Sequence, residues 1–232
     1  MNELMLDTAN LDELRYGLSN WPISGVTSNP SILKKEGEID VYDRLLEIRR
    51  LCTNGRSLHV QVVSSTMEGI IKEAKTIISV IGHDTYIKIP VSREGLPAIK
   101  ALAKEGVNVT ATGIYTSMQG ILAVLAGAKY VAVYYNRMED NCTDADSVIT
   151  QLRGFINESE SAAKILAASF KNTAEVVHAF ASGAHSATVG YGIIKNALGL
   201  PSIDAAVKRF TEDFEELHGE GATMETILKT DK

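Results

Sequence analysis

Cysteine is scarce in this chain: two in 232 residues, Cys52 and Cys142, with no pairing motif between them. That excludes a disulfide framework and fits a reducing compartment, where isolated thiols behave as small hydrophobes; a cytoplasmic location is expected. Long apolar runs are also missing. The most apolar stretch, ILAVLAGA at 121–128, is far too short to cross a bilayer. The first ten residues, MNELMLDTAN, carry Glu3 and Asp7 and lack a basic region followed by an apolar one, so no signal peptide is predicted. There is no basic run and no interleaving of aromatics with Lys or Arg, and the net charge is −6. Nucleic acid is therefore not an expected partner, and any anionic substrate must be held by a few placed cations. The five histidines show no metal-ligand spacing, and no dinucleotide or other cofactor motif is present. No metal and no cofactor are expected. Linkers, low-complexity segments and internal repeats are absent as well.

What remains is ordinary globular material, 45% hydrophobic and 22% charged. A chain of this length fits one large α/β domain, or at most two small ones. Short apolar strands alternate with amphipathic helices throughout. Strands are predicted at 4–7, 23–26, 59–63, 86–89, 107–112, 130–135, 164–168 and, more weakly, 186–189. Asn10 is placed to cap the first helix, whose Leu11, Leu14 and Leu18 share a face. Val41, Leu45, Ile48 and Cys52 mark another helix face. Ser65 and Glu68 read as a capping box before a helix with Ile70, Ile71, Ala74 and Ile78 inward. Pro97 opens a helix that ends at Gly106. Met118, Ile121, Leu122 and Leu125 mark the next helix. The last strong helix spans about 201–217, with Ile203, Val207, Phe210, Phe214 and Leu217 in one stripe.

Eight strand–helix units suggest a closed (β/α)8 barrel of the TIM type. The rival is an open doubly wound sheet, which usually carries a glycine-rich phosphate loop after its first strand. DTANLDE follows the first strand here, without glycine, and favours the barrel. The barrel is expected over 1–217, with 218–232 as a C-terminal tail. Met224, Ile227 and Leu228 lie at helical spacing in that tail, which fits either an oligomer contact arm or a frayed end.

Barrel strands alternate between interior and helix layer. In Tyr86-Ile87-Lys88-Ile89 the isoleucines face the helices, so Lys88 points inward near the C-terminal end, where barrel active sites lie. A lysine there loses hydration, its pKa falls, and the neutral amine can attack a carbonyl to form an imine. A strand-end lysine can also snorkel to water or form a structural ion pair. The same parity turns Asp7, Gln61, Thr110, Thr112 and Tyr134 inward. One buried polar residue is usually a satisfied core group, but a ring of them at the strands' C-terminal ends favours an active site. Ser169 and Lys171 in ASFKN follow the seventh strand and precede a helix N-terminus, and Arg137 follows the sixth; together they suggest a phosphate grip. A surface pair of Arg137 with Glu139 or Asp140, and a solvated Lys171, are the plainer readings.

LDTAN at 6–10, GVTSNPS at 25–31, YIKIPVSREG at 86–95, YVAVYYNR at 130–137 and KILAASFK at 164–171 resemble the transaldolase family, and most closely its short fructose-6-phosphate aldolase members. The likeness covers nearly the whole chain, in order. The resemblance implies a (β/α)8 barrel with Lys88 as a Schiff-base lysine and no metal. It implies that Asp7 handles protons during carbon–carbon cleavage, that Thr27, Ser28 and Asn29 contact the substrate, and that Thr112 holds a catalytic water. Arg137, Ser169 and Lys171 match phosphate-binding positions. Gln61 and Tyr134 stand where transaldolases generally carry Glu and Phe, which points to an aldolase that cleaves fructose 6-phosphate to dihydroxyacetone and glyceraldehyde 3-phosphate. The alternatives are a transaldolase and, more distantly, a non-catalytic sugar-phosphate-binding barrel. Ser28 departs from a frequent threonine, Thr110 lies at a variable position, and 183–199 is less familiar. The resemblance also implies a ring-type homo-oligomer, a pentamer or decamer.

Overall fold

The structure is a computed structural model and describes residues 2–228. Eight parallel strands close into a barrel in chain order, with β1 beside both β2 and β8. They are β1 Glu3–Asp7, β2 Gly25–Thr27, β3 Ser57–Gln61, β4 Tyr86–Pro90, β5 Val109–Ile114, β6 Tyr130–Tyr134, β7 Lys164–Ala168 and β8 Ser186–Val189. The helices are α1 Leu11–Asn20, α2 Pro30–Lys35, α3 Val41–Leu51, α4 Met67–Ile81, α5 Gly95–Lys104, α6 Ser117–Leu125, α7 Tyr135–Asp140, α8 Ala145–Glu158, α9 Thr173–Ala181, α10 Tyr191–Leu198 and α11 Pro201–His218. The expected barrel is therefore the observed one. The chain divides into two compact units, Met1–Ile193 and Ile194–Lys232. All eight strands lie in the first and α11 in the second. Residues 229–232 of the expected tail lie outside the described residues.

Strand parity follows from side-chain chemistry. Ile87 and Ile89 are fully buried in the layer between sheet and helices. Lys88 between them must enter the barrel, because successive side chains take opposite faces. Val60, Val109, Ala111, Val131, Val133, Ala187 and Val189 repeat the pattern on other strands, each at most 3% exposed. β5 breaks it once. Ala111 pairs with Val131 but Ile114 with Val133, so one extra residue is inserted. Gly113 absorbs that insertion at φ +69, a left-handed conformation that glycine adopts without strain. Ile114 returns to the buried outer face, and Thr112 stays inside.

The helix ends obey local hydrogen-bond chemistry. Asn10 caps α1 by accepting from Asp12 N and Glu13 N, as its position predicts. The expected Ser65–Glu68 capping box is not formed: Thr66 is the cap, accepting from Gly69 N at 3.2 Å, because the helix begins one residue later. A reciprocal box occurs instead at α6, between Thr116 and Gln119. The face of α6 also differs from the expected one. Met118 and Leu125 are 61% and 68% exposed, while Gly120, Ala123 and Val124 are buried. The reason is close approach, since a Cβ on Gly120 would lie 2.5 Å from Leu152 of α8. GVTSNPS spans β2 and leads into the short α2, which the apolar pattern gives no reason to expect. In α11, Ile203, Val207, Phe210 and Leu217 are all exposed.

Candidate active site

The C-terminal ends of the strands gather most of the predicted site residues in one place. Asp7 closes β1, Thr27 β2, Gln61 β3 and Tyr134 β6, with Lys88, Thr112 and Thr188 on β4, β5 and β8. Lys88 is 4% exposed, and its Nζ donates to the Ser28 carbonyl at 3.0 Å. Among the described residues that is its one hydrogen-bond partner. Desolvation pushes the Lys88 amine below the ordinary lysine value, and the nearby Asp7 carboxylate opposes this in part. Asp7 is displaced the other way. Burial raises its pKa, against the pull of Lys88 and of the Thr27 hydroxyl, which donates to Asp7 Oδ1 at 2.5 Å. Each shift leans toward the neutral form, and the buried amine lies beside the buried carboxyl.

A second pair faces them. Thr112 Oγ1 donates to Tyr134 OH at 3.0 Å. The tyrosine oxygen is therefore an acceptor in that bond, and its own proton is left to donate elsewhere. Burial raises the Tyr134 pKa and keeps that proton on at neutral pH. Gln61 Oε1 is buried with no hydrogen-bond partner among the described residues, an orphaned acceptor on the strand beside Lys88. An unpaired buried carbonyl oxygen is costly unless water or a ligand hydroxyl completes it.

The substrate-contact residues expected after β2 divide by geometry. Thr27 lies between Asp7 and Thr188, 2.7 Å from the latter's Oγ1. The Ser28 hydroxyl turns away to the His59 carbonyl at 3.3 Å, and its own carbonyl serves Lys88. Asn29 is half-buried and caps α2 through Ile32 N at 3.0 Å.

The candidate phosphate groups follow β6 and β7. Arg137 is exposed; its guanidinium sits 5.0 Å from the Tyr134 ring centre, with Nη1 3.5 Å from Tyr115 OH. The plainer reading, a pair with Glu139 or Asp140, is not what forms, because Asp140 pairs with Lys171 at 3.2 Å. Ser169 holds a left-handed φ of +65, unusual for a residue with a Cβ, and its carbonyl accepts from Asn136 N. That turn carries the chain from β7 toward α9, whose N-cap is Asn172.

Three residues around the site escaped sequence reasoning: His59, Tyr115 and Thr188. His59 and Thr188 carry the same parity signal that turned Gln61 inward. Tyr115 lies on a loop, where parity says nothing. An apolar cleft of about 360 Å³ lies outside the barrel, with Leu33, Tyr42, Leu45, Val60 and Ile77 among its lining. Lys34 and Glu73 line it too, but neither Lys88 nor Asp7 does. Among the described residues no group of His, Cys, Asp and Glu is placed to hold a metal ion, and no helix is long and apolar enough to cross a membrane.

Fold and interior together define a (β/α)8-barrel enzyme of the aldolase and transaldolase kind. The family model Transaldolase/Fructose-6-phosphate aldolase matches residues 4–231, and the chain belongs to that family. A curated relative from Streptococcus pneumoniae (strain ATCC 700669 / Spain 23F-1), named "Probable fructose-6-phosphate aldolase", is 50% identical over 212 residues, spanning 91% of this chain and 96% of that protein.

Proposed function

We propose that this chain is a fructose-6-phosphate aldolase that works through an imine on Lys88. The observation that carries the reading is the desolvated amine: Lys88 is 4% exposed, bonded to one backbone carbonyl, and lowered in pKa by burial beside Asp7. Mere binding of a sugar phosphate gives no reason to bury an amine there. The name of the streptococcal relative supports the same activity.

The chemistry follows from the groups present. The Lys88 lone pair bonds to the ketose carbonyl carbon, the oxygen takes a proton, and loss of water leaves an iminium. The adjacent carbon–carbon bond then breaks. Its electron pair moves into the iminium to give an enamine, while Asp7 takes the proton from the hydroxyl that becomes the aldehyde. Thr27 supports the charged form of Asp7 by donating to it. Arg137, Ser169 and Lys171 hold the phosphate of the departing glyceraldehyde 3-phosphate. The enamine carbon is protonated with the help of Tyr134 and a water held by Gln61 and Thr112. Hydrolysis then frees dihydroxyacetone and returns the amine.

Tyr134 supports aldolase over transaldolase, since its available proton favours discharge of the enamine over storage. The reading also carries a cytoplasmic ring-type homo-oligomer, pentamer or decamer, built from a barrel over 1–217 with 218–232 as a contact arm. The exposed Val207, Phe210 and Leu217 of α11 support an assembly. The deciding experiment is product analysis with fructose 6-phosphate alone. Free dihydroxyacetone without an added acceptor supports the aldolase. Product formed only when erythrose 4-phosphate is present assigns the chain to transaldolase.

A further inference from the structure

Beneath Lys88 the barrel interior holds a fully buried histidine that the mechanism above does not use. His59 projects inward from β3, and its Nδ1 lies 2.8 Å from Thr110 Oγ1 on β5. β4 runs between those two strands. The His59–Thr110 bond is therefore a bar across the inner face of β4. Lys88 and Tyr86 are alternate residues of that strand, with Lys88 beside Thr110 and Tyr86 beside His59. The Tyr86 ring stacks on the imidazole at 4.6 Å and 12°, and Tyr130 meets it edge-on at 5.1 Å. His59 Nε2 lies 3.0 Å from Ser57 Oγ, one step further down β3.

Ser57, Tyr86 and Tyr130 also border a cavity at the opposite end of the barrel. It measures about 580 Å³ and is strongly polar. Glu3 and Lys164 form an ion pair there, with Tyr130 OH donating to Glu3 at 2.7 Å. Arg49 pairs with Asp84, and Arg56 reaches the Ile23 carbonyl at 3.0 Å. The barrel thus has a charged chamber below and a desolvated amine above. His59 lies in the layer between them, packed on Tyr86 and Tyr130, which cluster with Met5, Ala132 and Leu166.

We propose that His59 is a positioning residue for Lys88: with Thr110 it forms a bar that closes the barrel between the amine and the basal cavity, and so keeps the amine dry. The inference rests on Lys88 being the imine-forming lysine. Among the described residues Lys88 has only the Ser28 carbonyl as hydrogen-bond partner. The low dielectric around it depends on what lies beneath it as much as on the strands beside it. A histidine suits this place because its ring fills the bore, while its two nitrogens satisfy Ser57 and Thr110 and tie the ring to strands on either side of β4. It must stay neutral to do so. Burial and the nearby Lys88 hold its pKa down to about 3, so it does so throughout the working pH range. The other titratable groups facing the two are Asp7 from β1, Tyr86 from β4 and Tyr130 from β6. Tyr134 faces the Asp7 side of the site. Glu3, Lys164, Arg49, Arg56 and Asp84 act only from the basal cavity.

The test is the pH profile of borohydride trapping with dihydroxyacetone, with peptide mapping to read the label on Lys88. The unmodified enzyme is run first. No label on Lys88 there overturns the imine reading itself, and this inference with it. Given labelling, His59→Ala opens the bar, hydrates the amine and moves the trapping midpoint up by at least about one pH unit, roughly ten-fold slower trapping on the acid limb. His59→Phe keeps the ring volume and keeps the midpoint within about 0.3 unit, although it loses both hydrogen bonds. A purely structural histidine gives no such split, because Phe and Ala would both lower the amount of active enzyme and leave the midpoint in place. If His59→Ala does not fold, His59→Leu, which refills the bore only in part, is compared with His59→Phe by the same criterion. An unmoved midpoint in the opened variant, or an equal shift in His59→Phe, overturns the inference.

Discussion

Thr27 Oγ1 donates to Asp7 Oδ1 at 2.5 Å, joining the ends of β2 and β1, and the same hydroxyl lies 2.7 Å from Thr188 Oγ1 on β8. Asp7, the carboxyl proposed to handle the proton of bond cleavage, is thus held from β2 by a threonine that is itself tied to β8. The bond favours ionised Asp7, opposing the desolvation that raises its pKa. Thr27→Val removes the support. The Asp7 pKa then rises further, and the acid limb of fructose 6-phosphate cleavage moves to higher pH. A hydrogen bond to a charged group is worth about 1.5–3 kcal/mol, so the limb shifts by about one to two units. The pH dependence of kcat/KM measures it, and an unmoved acid limb would show that Asp7 is not the titrating group.

Tyr134 accepts from Thr112, which leaves its own proton free for the proposed transfer to the enamine. Tyr134→Phe preserves the ring but removes the donor. Release of free dihydroxyacetone should fall by roughly 10²- to 10⁴-fold, the usual worth of a positioned proton-transfer group. Trapping of the imine on Lys88 should survive, because imine formation precedes the lost step. Parallel release and trapping assays on one preparation separate the two.

Arg137 and Lys171 are not equivalent. Arg137 makes no ion pair among the described residues, whereas Lys171 is already engaged by Asp140. Arg137→Ala should therefore cost about 1.5–3 kcal/mol against phosphorylated aldehydes, roughly ten- to hundred-fold in kcat/KM. Lys171→Ala should cost less than about five-fold, since an exposed ion pair is worth at most about 1 kcal/mol. Unphosphorylated aldehydes should be almost unaffected by either change. Equal losses for both substrate types would make the residues structural.

Gly95 opens α5 immediately after the Lys88 strand. A Cβ there would lie 1.9 Å from the Pro90 carbonyl oxygen, a backbone atom that cannot simply rotate away. Gly95→Ala should destabilise the fold by about 1–3 kcal/mol, lowering Tm by roughly 2–10 °C. Because Pro90 ends β4, trapping at Lys88 should slow as well. A melting curve that matches the unmodified protein would show that the turn yields freely.

The barrel was legible because its evidence is periodic. Ile87 and Ile89 bracket Lys88, and Val60 and Val62 bracket Gln61, so hydrophobic burial alone turns the polar residues inward. β7 and β8 fall where their apolar runs place them. What escaped depends on neighbours distant in sequence. The inward face of α6 is made of small residues because Leu152 of α8 comes close to Gly120, and no local pattern encodes that approach. The extra residue in β5 is visible only through its pairing with β6. His59 had the right parity, yet its partner Thr110 is 51 residues away. Lys171 read as a phosphate ligand from its place after β7, and only the fold brings Asp140 to it.

The central claim is that Lys88 carries the chemistry, and its most direct measurement is reductive trapping. The enzyme is treated with borohydride in the presence of dihydroxyacetone or fructose 6-phosphate, digested, and each lysine peptide is weighed. The buried amine of Lys88, lowered in pKa by desolvation, predicts one covalent adduct, on the peptide that contains it, formed in step with loss of activity. Lys88→Met should abolish both adduct and turnover. An adduct on a different lysine accompanied by inactivation, or turnover that persists in Lys88→Met, would contradict the account.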